Sequence, residues 1–147
     1  MIFISRELYD GIQLDSGWER RAEREWRKRS EIYDRHYKLI APLLPTGVRR
    51  ISRFGIHDAI VESVTQNKGE ICFLLDTSKA LGAFRGRRLR LKFLGAHRRI
   101  PTRGLRGQWW LYHEAHLSHN ARFLFQIMFH KTDVDIEAND LRIDTKV

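Results

Sequence analysis

The hydrophobic period of this chain changes at Pro45, and that change limits the folds open to it. Before Pro45 the apolar residues fall at Trp18, Ala22, Trp26, Tyr33, Tyr37, Ile40 and Leu44, in steps of three, four or seven. This is one stripe on a helix of period ~3.6, running from Trp18 to Leu44. Ser16 with Glu19 reads as a capping box that starts the helix, and Pro42 and Pro45 end it. Glu23 with Arg27, Glu25 with Arg29 and Glu31 with Arg35 have the favourable order for i,i+4 pairs, so these arginines read as a solvated helix face. A strand from Ile2 to Ile4 and a turn of helix from Arg6 precede the stripe.

After Pro45 the period becomes two. Ile56 to Val64, the turn signal Asn67-Lys68-Gly69 and Glu70 to Asp76 predict a hairpin. Leu89, Leu91 and Phe93 alternate with Arg88, Arg90 and Lys92. Trp109, Leu111, His113, Ala115 and Leu117 alternate with Trp110, Tyr112, Glu114 and His116. Phe123, Phe125, Ile127 and Phe129 share one face, and Val134, Ile136 and Ala138 alternate with Asp135 and Glu137. The spacing predicts an α+β fold in which a long N-terminal amphipathic helix packs on an antiparallel β-meander, either a sheet or a partly open barrel. The 147 residues read as a single domain, mainly helical over 1–45 and mainly β over 46–147.

Charge is concentrated in one place. Nine basic residues and no acidic one lie between Arg85 and Arg106, and the other 18 basic residues match the 18 acidic ones. A local field of this kind calls for a nucleic acid, an anionic membrane or an acidic protein surface. With Leu89, Leu91 and Phe93 facing the core, Arg88, Arg90 and Lys92 face outward from one strand. The loop Gly95 to Gly107 adds Arg98, Arg99, Arg103 and Arg106 and reads as long and flexible. Trp109 and Trp110 follow directly. Aromatics beside a cationic groove bind single-stranded nucleic acid by stacking, whereas two tryptophans on opposite faces of a covered strand are core residues. Arg88, Arg90, Lys92, Arg98, Arg99, Arg103, Arg106, Trp109 and Trp110 are therefore the candidate partner-binding residues.

No catalytic, metal or cofactor site emerges. His113 and His116 differ by an odd number and point to opposite faces of a strand, so they do not converge on one ion. His57 beside Asp58 reads as a strand-entry turn rather than a base with its orienting carboxylate. Cys72 sits in the apolar run ICFLL as a buried thiol, and one cysteine cannot form an internal disulfide. No signal-length or membrane-spanning apolar run is present, which predicts a cytoplasmic protein without a membrane partner.

The opening MIFISRELYDGIQ, the strand FGIHDAIVESVTQNKGEICFLLD, the segment WWLYHEAHLSHNARFLFQIMF and the acidic DVDIEANDLRI together resemble a group of uncharacterised small bacterial proteins. Its marks are His57-Asp58-Ala59 and Tyr112 with Glu114. Similar His-Asp-Ala strands occur in immunity proteins of bacterial polymorphic toxin systems. The resemblance implies a non-enzymatic inhibitor of a cognate toxin domain with an acidic or nucleotide-binding face, and it carries over no catalytic residue. The basic loop departs from the acidic character usual in immunity proteins against nucleases. The alternative reading is an RNA or single-stranded nucleic-acid-binding protein using the basic strand and loop 85–106. An accessory enzyme using His57 and Glu114 is a third.

Overall fold

The computed structural model describes residues 1–13 and 19–147. The expected capping box at Ser16 and the first stripe residue, Trp18, lie outside these. The chain forms two compact units, Met1–Pro42 and Leu43–Val147.

The first unit is helical. Helix α1 (Arg6–Gln13) packs on helix α2 (Glu19–Ile40), which passes into a short 3-10 turn at Ala41–Leu43. The periodic stripe accounts for this packing. Ala22 is buried, and the Tyr9 ring meets Trp26 at 6.5 Å. The expected strand at Ile2 to Ile4 does not form. Phe3 instead lays its ring against Tyr33 at 5.6 Å and His36 at 5.5 Å, so the aromatic side of α2 takes the place of a partner strand. Of the three expected i,i+4 pairs, Glu25 with Arg29 forms at 2.9 Å, while Arg35 donates to the Glu31 carbonyl.

The second unit, expected to be mainly β from residue 46, opens with a helix that the period did not show. Helix α3 (Thr46–Phe54) buries Val48 and Ile51, while Arg49 and Arg50 are exposed. Pro45 stands at its N-cap, where its missing N–H costs nothing, and the Gly55 N–H closes the last turn onto the Ile51 carbonyl at 2.8 Å. A stripe with so few apolar residues is too short to register as a period.

Seven strands follow: β1 (Ala59–Asn67), β2 (Gly69–Asp76), β3 (Arg88–Ala96), β4 (Trp109–Leu117), β5 (Phe123–Phe129), β6 (Asp133–Ala138) and β7 (Asp140–Asp144). They form one antiparallel sheet in the order β6-β5-β4-β1-β2-β3-β7, which is not closed into a barrel. The architecture is α+β. The meander is two meanders, β1-β2-β3 and β4-β5-β6, and among the described residues β1 pairs with β4 only where Ala59 faces Trp110 and Ile60 faces Trp109. The first strand begins at Ala59 rather than Ile56, because Ile56 to Asp58 turn out of α3. Strand β7 carries only five residues and was not legible in the sequence.

The sheet curls around an aromatic core. Phe93 of β3 reaches Phe123 and Phe125 of β5, at 6.4 and 5.5 Å, although three strands separate β3 from β5 in the sheet. Phe73 joins Trp110 and Phe129 at 6.0 and 6.1 Å. The expected core face of β3 is fully buried at Leu89, Leu91 and Phe93, as is that of β5 at Phe123, Phe125, Ile127 and Phe129. The corner between β6 and β7 is a single residue, Asn139, whose N–H donates to the Leu94 carbonyl at 2.8 Å. Gly95, at φ 73°, makes room for it: a Cβ there would stand 2.8 Å from the Asn139 side chain.

Replacing Phe125 by Ala should cost roughly 3–5 kcal/mol of unfolding free energy, because it opens a cavity in this cluster. Gly47→Ala should also destabilise strongly, since its Cβ would stand 1.7 Å from the Leu141 carbonyl oxygen. Urea unfolding of both variants checks the packing, and wild-type midpoints would contradict it.

Candidate binding surface

Adjacent tryptophans on a strand must diverge, and Trp109 and Trp110 do. Trp110 is completely buried among Phe73, Phe125 and Phe129, so it belongs to the core and leaves the candidate surface. Trp109 is 46% exposed. The simple alternation expected for β4 fails beyond them. A bulge between Trp110 and Tyr112 shifts the register, so His113 and Ala115 follow Trp110 inward. Trp109 is held from below: its N–H donates to His130 Nδ1 at 3.1 Å, and the His130 N–H returns a bond to the Trp109 carbonyl.

Strand register places the charge beside this ring. Trp109 faces Ile60, Ile60 faces Asp76, and Asp76 faces Arg88, which lays one outward row across β4, β1, β2 and β3. At ~4.8 Å per strand the row is about 14 Å long. Arg88, Arg90 and Lys92 point outward as expected, but acidic neighbours on the same face hold them. Arg88 bonds both oxygens of Glu62, with its Nε at 3.2 Å from each. Arg90 lies 3.8 Å from Asp144, and Lys92 lies 3.8 Å from Glu70. The strand therefore presents paired charge, whereas among the described residues no ion pair holds Arg98, Arg99, Arg103 or Arg106. All four are exposed.

The loop that carries them is anchored, contrary to its flexible reading. It runs from His97 to Gln108 along the edge of β1 that β4 leaves open. Ile100 and Leu105 are buried beneath it. The Gln66 side chain clamps its start, donating to the Arg98 carbonyl at 2.9 Å and accepting from the Ile100 N–H at 3.1 Å. At its end the Gly107 N–H donates to the Val61 carbonyl, and the Val61 N–H donates to the Gln108 carbonyl. Gln108 extends this brace, donating from Nε2 to the Gly104 carbonyl and the Thr132 hydroxyl. A cleft remains between loop and sheet, lined by Ile60, Glu62, Ser63, Leu74, Arg88 and Arg106.

The two short motifs meet elsewhere in the second unit. His57 sets its ring edge-on to Tyr112 at 5.1 Å, and its Nδ1 lies 3.1 Å from Asp58 Oδ2 without hydrogen-bond alignment. Asp58 takes φ 66°, a left-handed turn unusual for a non-glycine residue, and its N–H donates to the Trp110 carbonyl. Glu114 is fully buried and pairs with His116 Nε2 at 3.1 Å. His113 faces the other way, stacked on Phe125 at 5.1 Å, so the two imidazoles diverge. Cys72 is half-buried on the outer face opposite Lys92 rather than sealed in the core. Burial pushes its thiol up, against the opposing pull of Arg90 and Lys92.

The His113 imidazole accepts at Nδ1 from the Trp110 indole N–H at 3.2 Å, and burial lowers its pKa to about 4. An unfolded histidine titrates near 6.5, so between these values the unfolded chain binds the extra proton. Its contribution is complete above pH ~6.5, falls as pH drops toward ~4, and amounts to roughly 3 kcal/mol. Stability measured by urea between pH 7 and 4 should show this slope, and His113→Phe should flatten it.

Among the described residues no helix is long and apolar enough to cross a membrane. No curated protein matches the chain. The family model described as "protein of unknown function (DUF4085)" matches residues 3–137, which takes in both motifs and the arginine loop, and the chain belongs to that family.

Proposed function

We propose that this chain is a non-enzymatic binding protein of the immunity type, which neutralises a cognate bacterial toxin domain by covering its active site. The observation that carries the reading is Trp109, an exposed indole on a braced strand, at one end of the outward row that Arg88 closes. Interface energy concentrates in such anchors, tryptophan and arginine above all, while surrounding charges mainly steer the encounter. The four exposed loop arginines, which no ion pair holds among the described residues, give the partner's sign: it presents an acidic face. The ion-paired arginines of β3 suit a protein partner, which can exchange carboxylates with them, better than a phosphate backbone, which gains most from free cations.

The immunity reading expects a toxin domain encoded in a neighbouring gene, and that domain is the partner to titrate. Neutralisation at a one-to-one ratio is expected. Trp109→Ala should cost roughly 2 kcal/mol or more of affinity, above the loss for any single loop arginine. Loop charge reversal, Arg98, Arg99 and Arg103 to Glu, should mainly slow association. Random single-stranded RNA tests the alternative, which the same exposed indole and unpaired arginines favour. Four phosphate contacts would give a log–log salt slope of about −3. RNA binding that is weak and lost by ~150 mM salt is expected. Tight binding that survives that salt and vanishes on loop charge reversal would replace the immunity reading.

A further inference from the structure

We infer that the cleft between β1 and the arginine loop is the seat for an extended acidic segment of the partner protein, and that Glu62 occupies it in the free chain. The inference rests on reading this surface as a protein interface and names the chemistry that enters it.

Three observations meet here. Beyond Val61 the edge of β1 that faces β4 has no strand paired to it among the described residues, since β1 and β4 share only two residue pairs. The loop bonds this edge through its backbone at Val61, where Gly107 and Gln108 meet it, and the cleft lies between Arg106 and Gly107 of the loop and the sheet residues Ile60, Glu62, Ser63, Leu74 and Arg88. Its floor is apolar, at Ile60 and Leu74, and the exposed Trp109 ring shares a row with Ile60. Its walls are guanidiniums, Arg88 from β3 and Arg106 from the loop.

Glu62 shows what these walls accept. It sits at the bulge between Val61 and Ser63, where a residue is added to β1, and there it bonds Arg88 through both carboxylate oxygens. The fork is thus satisfied by a carboxylate of the chain itself. Among the described residues Arg106 has no ion pair on the opposite wall. A segment alternating carboxylates with aliphatic side chains matches this arrangement. Its carboxylates meet Arg106 and, after displacing Glu62, Arg88, and its aliphatic side chains cover Ile60 and Leu74 beside Trp109. The exposed Arg98, Arg99 and Arg103 of the same loop add basic charge around this cleft and favour an acidic occupant.

The test uses the full chain and a fluorescein-labelled heptapeptide, Gly-Glu-Leu-Glu-Leu-Glu-Gly, followed by anisotropy. Saturable binding is expected, with no binding of the peptide carrying Lys for Glu. Two substitutions should move affinity in opposite directions: Arg106→Glu should weaken it about tenfold, and Glu62→Gln should tighten it several-fold by removing the internal competitor. Arg50→Glu, an exposed charge on α3, controls for net charge and should change it less than about twofold. Arg106→Gln accompanies Arg106→Glu and should weaken binding in the same direction, with circular dichroism confirming that each variant folds. The inference is overturned if no saturable binding occurs at millimolar peptide, if Glu62→Gln leaves affinity unchanged or lowers it, or if Arg106→Glu behaves like Arg50→Glu. It is also overturned if single-stranded RNA displaces the peptide at ~150 mM salt, which assigns the cleft to nucleic acid. A chain that takes the peptide in this pattern but neutralises no toxin keeps the cleft and loses the immunity reading. Toxin neutralisation undiminished by Arg106→Glu alone does the reverse.

Discussion

Phe93 meeting Phe123 and Phe125 across the sheet is the contact on which the rest of the second unit depends. Strands β3 and β5 lie far apart in the hydrogen-bonded order, so their rings meet only if the sheet curls hard. Each aromatic pair adds about 0.5–1.5 kcal/mol beyond its buried area. The curl has local consequences. A single run from Asp133 to Asp144 leaves the edge of β5 and joins the edge of β3, turning at Asn139 where Gly95 gives way. It also leaves β1 and β4 in contact over two residue pairs only, which opens the edge along which the arginine loop lies.

That opening explains why a basic stretch of one sign divides into two kinds of charge. Its strand half folds against Glu62, Glu70 and Asp144 and is largely neutralised by them. Its loop half, anchored by Ile100, Leu105 and the Gln66 and Gln108 side chains, keeps exposed guanidiniums in defined places. Holding a loop still lowers the ordering entropy lost when a partner binds. The bulge in β4 serves the same surface, since it settles Trp110 in the core while His130 props Trp109 outside.

Legibility followed the strength of the local pattern. Strands with several consecutive alternations were readable: the hairpin of β1 and β2, the burial of Leu89, Leu91 and Phe93, and the phenylalanine face of β5. Helix α3 was missed because two buried apolar residues make too short a period, and β7 because five residues with one buried leucine resemble a polar tail. Ile2 to Ile4 resembled a strand, yet Phe3 packs on the aromatic side of α2. Of the nine candidate binding residues, the outward direction of Arg88, Arg90 and Lys92 followed from periodicity. The choice between Trp109 and Trp110 did not, because alternation says that neighbours diverge and does not say which one is inside.

The sequence by itself determined the class of fold, the paired strands of the first hairpin, the apolar faces of β3 and β5, and the concentration of charge between Arg85 and Arg106. These are properties of neighbours in the chain, and side-chain periodicity expresses them directly. Only the tertiary structure decided which arginines are neutralised, which tryptophan faces outward, that the loop is anchored, and that a cleft lined by Arg88 and Arg106 lies beside β1. Each of these depends on residues far apart in sequence. Glu62 is 26 positions from Arg88, and Gln66 is 32 from Arg98. Such contacts form only when the aromatic core has curled the sheet and brought its strands into register.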